Sequence, residues 1–205
     1  MTGGTGFVRT YLTKRLISEK HKVTILTQPP GGAALKISGA VYLAGNPTIK
    51  GEWQEAVKEY DVIINLAGAS IFSRFTPEQK KILRESRIET TRNLVAALPE
   101  NAQNITFFST SAVGFYRFHE DEELTEDMAS GHDFLAMLAA DWEQEAMHAQ
   151  KKDQELSVKP QRLSEVVPVQ RQAQPLFTGT SMRSRTFLSQ ASISSSVASL
   201  MLPAG

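Results

Sequence analysis

The chain has 205 residues, enough for one sizeable core or for one domain with an unfinished second part. Lysine plus arginine and aspartate plus glutamate each total 22, so the formal net charge is zero and nothing argues for nucleic acid or an anionic membrane as a partner. Cysteine is absent, which excludes disulfides and thiolate chemistry; no apolar run reaches the ~18–20 residues of a bilayer span, and the N-terminus does not read as a secretory signal. The expectation is a soluble, cytoplasmic protein.

Phe7, Val8, Tyr11, Leu12 and Leu16 recur at helical spacing, so a helix starts just after a cluster of glycines. Lys22–Thr27 (KVTILT) reads as a short buried strand closed by Pro29, Pro30, Gly31 and Gly32. Val41–Ala44 is a second short strand. Asp61–Ala67 (DVIINLA) is the clearest strand, an apolar run suited to a parallel sheet covered on both faces. A long helix follows from Pro77 to about Leu98: Thr76 caps it, Pro77 fits its first turn, and Gln79 completes a capping box. Ile88, Thr91, Val95 and Leu98 share one of its faces. Ile105–Thr110 is a further strand, and Phe134–Met147 an amphipathic helix with Trp142 packed against the sheet. Alternating strands and helices predict an α/β fold, a Rossmann-type doubly wound parallel sheet over residues 1–150. Its first strand is missing or incomplete, since Met1 alone precedes the glycine loop.

After Lys152 the pattern stops. Residues 151–205 contain ten serines, with acids only at Asp153, Glu155 and Glu165. The expectation there is an irregular, poorly ordered Ser/Gln-rich tail, because little apolar surface offsets the ordering entropy.

The opening Thr2-Gly3-Gly4-Thr5-Gly6-Phe7-Val8 has the form of a phosphate-cradling turn. Glycines let the backbone approach a pyrophosphate, and the first amides of the next helix face it. Three positions after Gly6, where a glycine would permit close helix–strand packing, stands Arg9. It either tilts outward on the first helical turn or contacts a phosphate. The second strand ends at Thr27-Gln28. A carboxylate there would bind the ribose 2′-hydroxyl of NAD and a basic residue would favour a 2′-phosphate. Neither is present, and the missing acid leans the reading towards NADP over NAD.

Four segments in order, TGGTGFV (2–8), NLAGASI (65–71), ESRIETTRNLVAAL (85–98) and STSAVGFY (109–116), followed by DFLA…WEQEA (133–146), resemble the SDR39U1-like "epimerase family" branch of the extended short-chain dehydrogenase/reductases. The resemblance covers residues 2–150. It implies a Rossmann fold with NADP(H) or NAD(H), but no defined reaction. It also implies that Gly3, Gly4, Thr5, Gly6 and Phe7 form the pyrophosphate loop. Asn65, Leu66, Ala67 and Gly68 then end the fourth strand beside the adenosine ribose, and Ser111 falls where the family keeps the serine that hydrogen-bonds the reacting carbonyl or hydroxyl. Arg87 matches the pattern with a structural role, and Arg74 is a solvated loop charge. Members carry a strand before the glycine loop and a substrate-binding part after the last helix. Glu155–Pro160 is the last place where a family-like strand starts. The departure at both ends suggests truncation, with a shifted reading frame or a damaged gene model after Lys152, which the coding DNA decides.

Hydride transfer in this superfamily uses a Tyr-x-x-x-Lys pair. Bringing a tyrosine from about 10 to 7 requires roughly 4 kcal/mol of differential stabilisation. Four residues after Tyr11, Tyr42, Tyr60 and Tyr116 stand Arg15, Asn46, Ile64 and Glu120, so no pair exists. At the aligned place stand Phe134 and Leu138. Tyr116, five residues after Ser111, is either a substitute acid or a partly buried aromatic. His21, His119, His132 and His148 have no metal-ligand spacing, and Glu120, Asp121, Glu122 and Glu123 read as a solvated loop. No nucleophile elbow is present. Three functions remain: an NAD(P)-binding oxidoreductase or epimerase-like protein with an undefined small-molecule substrate, a non-catalytic NAD(P)-binding sensor or scaffold, or a non-functional fragment of such an enzyme. Composition does not indicate an oligomeric state.

Overall fold

The computed structural model describes residues 1–3, 7–28, 36–100, 105–116, 124–125, 128–152 and 158–163. Gly4, Thr5, Gly6, the Pro29–Gly32 turn, His119, the acids Glu120–Glu123 and the serine-rich run 192–199 lie outside the described residues. The elements in order are α1 (Phe7–Ser18), β1 (Thr24–Thr27), β2 (Val41–Ala44), α2 (Trp53–Val57), β3 (Val62–Asn65), α3 (Pro77–Ala97), β4 (Thr106–Ala112), a 3₁₀ turn at Val113–Phe115, α4 (Phe134–Lys152) and β5 (Val158–Leu163).

Among the described residues every strand pairing is parallel: Ile25 of β1 lies opposite Tyr42 of β2, Ile64 of β3 opposite Phe108 of β4, and Ser109 of β4 opposite Pro160 of β5. Met1 and Thr2 join the two groups of strands. The Met1 carbonyl accepts from the Leu26 amide at 2.9 Å, and the Met1 amine donates to the Thr24 carbonyl at 2.9 Å. On the other side the Thr2 amide donates to the Ile64 carbonyl at 2.9 Å, and Thr2 pairs in parallel with Asn65. Met1 and Thr2 therefore form a two-residue stub at the centre of the sheet, in the order β2-β1-stub-β3-β4-β5. From the stub the chain winds one way to β1 and β2, then crosses over and winds the other way to β3, β4 and β5, placing a switch point beside Gly3.

Both faces are covered at the centre of the sheet, which is why β3 runs apolar over Val62, Ile63 and Ile64 rather than alternating. On one face Leu12 and Leu16 of α1 pack with Ile25, Ile64 and Phe108. On the other, Trp53, Leu94, Val95 and Ala146 from α2, α3 and α4 pack with Ile63 and Phe107. Lys20, at φ 69°, ends the first helix: its amide donates to the Ile17 carbonyl and that of His21 to the Leu16 carbonyl, closing the last turn and aiming the chain back at β1.

Four sequence expectations are revised. Residues 158–163, within the expected irregular tail, form β5 and extend the sheet; the strand starts at Val158, inside the Glu155–Pro160 stretch that the resemblance left as the last place for one. VKPQRL has no strand periodicity, and its place comes from pairing with β4, at an edge where Pro160 is tolerated. Trp142 packs between α3 and α4, against Leu83, Ile88 and Leu138, rather than on the sheet. Thr76 caps α3 by accepting from the Gln79 amide at 3.2 Å, but the Gln79 side chain turns to the Ser70 carbonyl at 3.5 Å and leaves the capping box half-made. Arg9 does not tilt outward; it is 4% exposed.

Burial, with repulsion from Arg9 second, lowers the Met1 ammonium from 8.0 to about 6. A base whose folded pKa is depressed makes the unfolded chain bind more protons between the two values, so stability rises with pH across that window. In a polypeptide whose free amine is at Met1, unfolding free energy should increase by about 2–3 kcal/mol from pH 6 to pH 8. Urea titrations across that range check it, and acetylating the amine should flatten the dependence.

Candidate functional site

The switch-point crevice is lined by chain ends that glycine brings together. Gly3 has φ +103°, and a Cβ added there would lie 2.3 Å from the Leu66 carbonyl oxygen. No other residue fits that conformation and that contact at once. The stub thus turns directly against the segment following β3, ahead of α1, which begins at Phe7.

Beneath this contact lies a buried polar hub. The Thr2 hydroxyl donates to Asn65 Oδ1 at 2.7 Å, and the Ala67 amide donates to the same oxygen at 3.3 Å. Asn65 Nδ2 donates to Thr91 Oγ1 at 2.9 Å, which also accepts from Trp142 Nε1 at 2.8 Å and itself donates to the Arg87 carbonyl at 2.8 Å. The Thr110 hydroxyl donates to the Asn65 carbonyl at 3.0 Å. One asparagine therefore links the stub, β3, β4 and α3, and reaches α4 through Thr91. The next turn rests on α3: the Ala69 amide donates to Ser86 Oγ at 3.0 Å, and a Cβ on Gly68 would come within 3.0 Å of the Arg87 guanidinium. Arg87 in turn lies over the Trp142 ring, 5.4 Å from its centroid, in keeping with a structural role.

Gly3, Asn65, Leu66 and Ala67 thus meet, with Gly68 on the adjoining turn. Phe7 opens α1, while Gly4, Thr5 and Gly6 lie outside the described residues. Thr27 and Gln28 stand at the carboxyl end of β1, where the Thr27 hydroxyl donates to the Gln28 carbonyl at 3.3 Å and Gln28 is exposed. Ser111 is on the same side of β4 as Ser109, the residue opposite Asn65, and two residues nearer the carboxyl end. Its hydroxyl is buried without a hydrogen-bond partner, as are those of Ser109 and Thr90. Tyr116 is buried at 8% exposure, edge-on to Phe115 at 5.3 Å.

Hydrocarbon occupies the place where the resemblance implies a proton-transferring pair. Phe134 packs against Phe75 at 6.0 Å, and Leu138 is buried with Leu83, Ile88 and Trp142. Arg74, His21 and His132 are exposed. Among the described residues no three His, Cys, Asp or Glu side chains form a metal site, and no helix is long and apolar enough to cross a membrane. Sequence reasoning missed Thr2, Ser86 and the hub role of Thr91. The available signal was a threonine on the otherwise apolar face of α3, one turn from a buried arginine.

A parallel doubly wound sheet whose order reverses where a glycine touches the neighbouring strand defines a Rossmann-type α/β protein with its crevice at the switch point. Residues 1–167 match the family model described as "NAD dependent epimerase/dehydratase family". The chain is similar to "Epimerase family protein YfhF" of Bacillus subtilis, 35% identical over 150 residues, covering 72% of this chain and 48% of that protein. It is similar also to the "Epimerase family protein SDR39U1 homolog, chloroplastic" of Arabidopsis thaliana, 32% identical over 154 residues, covering 74% of this chain and 44% of that one. Among solved structures, human epimerase family protein SDR39U1 with NADPH superposes with a TM-score of 0.54 at 28% identity, covering 71% of this chain and 47% of that chain. This chain belongs to the NAD-dependent epimerase/dehydratase family and spans a little under half the length of these curated relatives.

Replacing Thr91 by the isosteric valine removes the hydroxyl that serves Asn65 Nδ2 and Trp142 Nε1 and strands both donors. Each buried unpaired group costs about 1–3 kcal/mol, so Thr91→Val should lose about 2–5 kcal/mol in chemical denaturation. A loss below about 0.5 kcal/mol would show that the hub carries no stability.

Proposed function

We propose that this chain is the dinucleotide-holding part of an extended short-chain dehydrogenase/reductase, with the nicotinamide dinucleotide laid across the crevice at Gly3. The observation that carries the reading is Gly3 itself, at φ +103° and with room for no side chain against Leu66. The first amides of α1 and the Gly3–Phe7 loop would hold the pyrophosphate. Thr27 and Gln28 would border one ribose, with Asn65, Leu66, Ala67 and Gly68 on the facing wall. Gln28 brings no carboxylate to repel a 2′-phosphate, so the reading favours NADP over NAD. A cytoplasmic location accompanies it.

When bound, the coenzyme supplies or accepts a hydride. Ser111, with its buried hydroxyl unpaired, would orient a small carbonyl or hydroxyl substrate, and Tyr116 is the candidate acid. A second reading, a coenzyme-binding sensor or scaffold without turnover, is favoured by one observation: Phe134 and Leu138 move no proton, and Leu138 is sealed in the α3–α4 contact.

Calorimetric titration with NADPH and NADH tests binding. Saturable heat is expected with at least one of them, and a Gly3→Ala variant that keeps its circular dichroism should bind at least about tenfold more weakly. No heat with either coenzyme would end the proposal. Coenzyme oxidation over a panel of small carbonyl compounds then separates turnover from simple holding.

A further inference from the structure

Gly68 is a glycine for want of space rather than for backbone shape. Among the described residues φ is positive at Lys20, Gly3 and Gly39 and not at Gly68, so its main chain makes no demand for glycine. The three atoms nearest to a Cβ added there all belong to one side chain: Arg87 Cζ and Nη2 at 3.0 Å and Nε at 3.3 Å. The central carbon is as close as the nitrogens, so the added atom would sit over the flat face of the guanidinium and not at its edge. Gly68 itself is exposed, whereas Arg87 is buried. The guanidinium therefore backs the turn from the protein side and leaves its other side open.

That backing is itself held in place. Arg87 Nη1 donates to the Leu83 carbonyl at 3.4 Å, and the guanidinium lies over the Trp142 ring, 5.4 Å from its centroid. The Nε1 of the same indole donates to Thr91 Oγ1 at 2.8 Å, and Thr91 accepts from Asn65 Nδ2 at 2.9 Å. One tryptophan thus anchors both ends of the Asn65–Gly68 segment, the first through Thr91 and the last through Arg87. Burying a charged group is costly, and an apolar side chain of similar volume would fill the space as well. What it would lack is a rigid plane. We infer that Arg87 is a positioning residue for the coenzyme: its flat face sets the height of the Gly68 turn, and so the course of the Asn65–Gly68 wall along the dinucleotide. The inference rests on the dinucleotide reading above and deepens it; Arg87 acts through Gly68 and touches no coenzyme.

The test is a double-mutant cycle on Gly68 and Arg87, read as the calorimetric Kd of NADPH and NADH, with urea denaturation of each variant alongside. Gly68→Ala lifts the turn off the guanidinium and should weaken both coenzymes about tenfold. In an Arg87→Ala background, where nothing is left to strike, the same change should alter Kd by less than about twofold. Arg87→Lys keeps the charge but not the plane, and should weaken NADPH and NADH alike, by about five- to tenfold. Where Arg87→Ala does not fold, Gly68→Ala and Arg87→Lys decide. A lowered urea midpoint with Kd unchanged in those two variants overturns the inference, makes Arg87 a packing residue, and leaves the dinucleotide reading intact. Full affinity in Arg87→Lys overturns it too, since charge and not shape would then matter. So does an equal cost of Gly68→Ala in both backgrounds, which would show Gly68 acting without Arg87. If the wild type binds neither coenzyme, both readings fall together.

Discussion

The hydrogen bond from the Thr2 hydroxyl to Asn65 Oδ1, at 2.7 Å inside the sheet, is the point on which the rest of the architecture turns. A two-residue stub is a weak strand, with few backbone bonds to hold it between β1 and β3. The side-chain bond adds to them a contact that water cannot compete for, since Thr2 and Asn65 are both fully buried. Because Asn65 also engages Ala67, Thr91 and, through its carbonyl, Thr110, the same residue sets the exit direction of β3 and docks α3 on the sheet. Thr91 passes the constraint on to α4 through Trp142. Of the ion pairs between α3 and α4, Arg84–Asp141 is solvent-exposed and adds little beside it, while Arg92–Glu145 is half-buried on the Glu145 side.

From that constraint the crevice follows. With Thr2 held by Asn65, the next residue falls against the Leu66 carbonyl, and glycine is the residue that fits. The walls that a dinucleotide needs are thus made by main chain and hydrogen-bonded turns, whose support comes from Ser86 and Arg87 on α3. The proposed reacting end is built differently. Ser111 offers a buried hydroxyl, while the two positions where the resemblance implies a tyrosine and a lysine carry Phe134, against Phe75, and Leu138, inside the α3–α4 contact. Under the proposal, binding and turnover are therefore separate questions.

Much of the fold was legible in the sequence because the physics is local or periodic. The run DVIINLA is apolar on both strand faces, Thr76 and Pro77 start a helix by capping geometry, and Ile88, Thr91, Val95 and Leu98 repeat at helical spacing. Val41–Ala44 emerged with the predicted bounds. What escaped depends on contacts distant in sequence. β5 is a strand because β4 offers it an edge, and the five-residue α2 is anchored by Trp53, whose indole donates to the Ile49 carbonyl at 3.2 Å. The contact of Trp142 with α3 is of the same kind, because an amphipathic helix shows which face is buried but not what covers it. The glycine at position 3 was legible as a turn. That its Cβ would strike Leu66, 63 residues on, was not. Arg9 is the opposite case: its departure from glycine was visible, while its burial depends on how closely α1 sits on β1 and β2.

Amide hydrogen exchange, followed residue by residue with and without NADPH, tests the central claim most directly. The account predicts coenzyme-dependent slowing concentrated at Gly3, at the first turn of α1 and at Leu66–Gly68, with the α2 and α4 amides little changed. Slowing spread evenly over the sheet, or confined to segments away from the Gly3–Leu66 contact, would contradict a dinucleotide seated at the switch point.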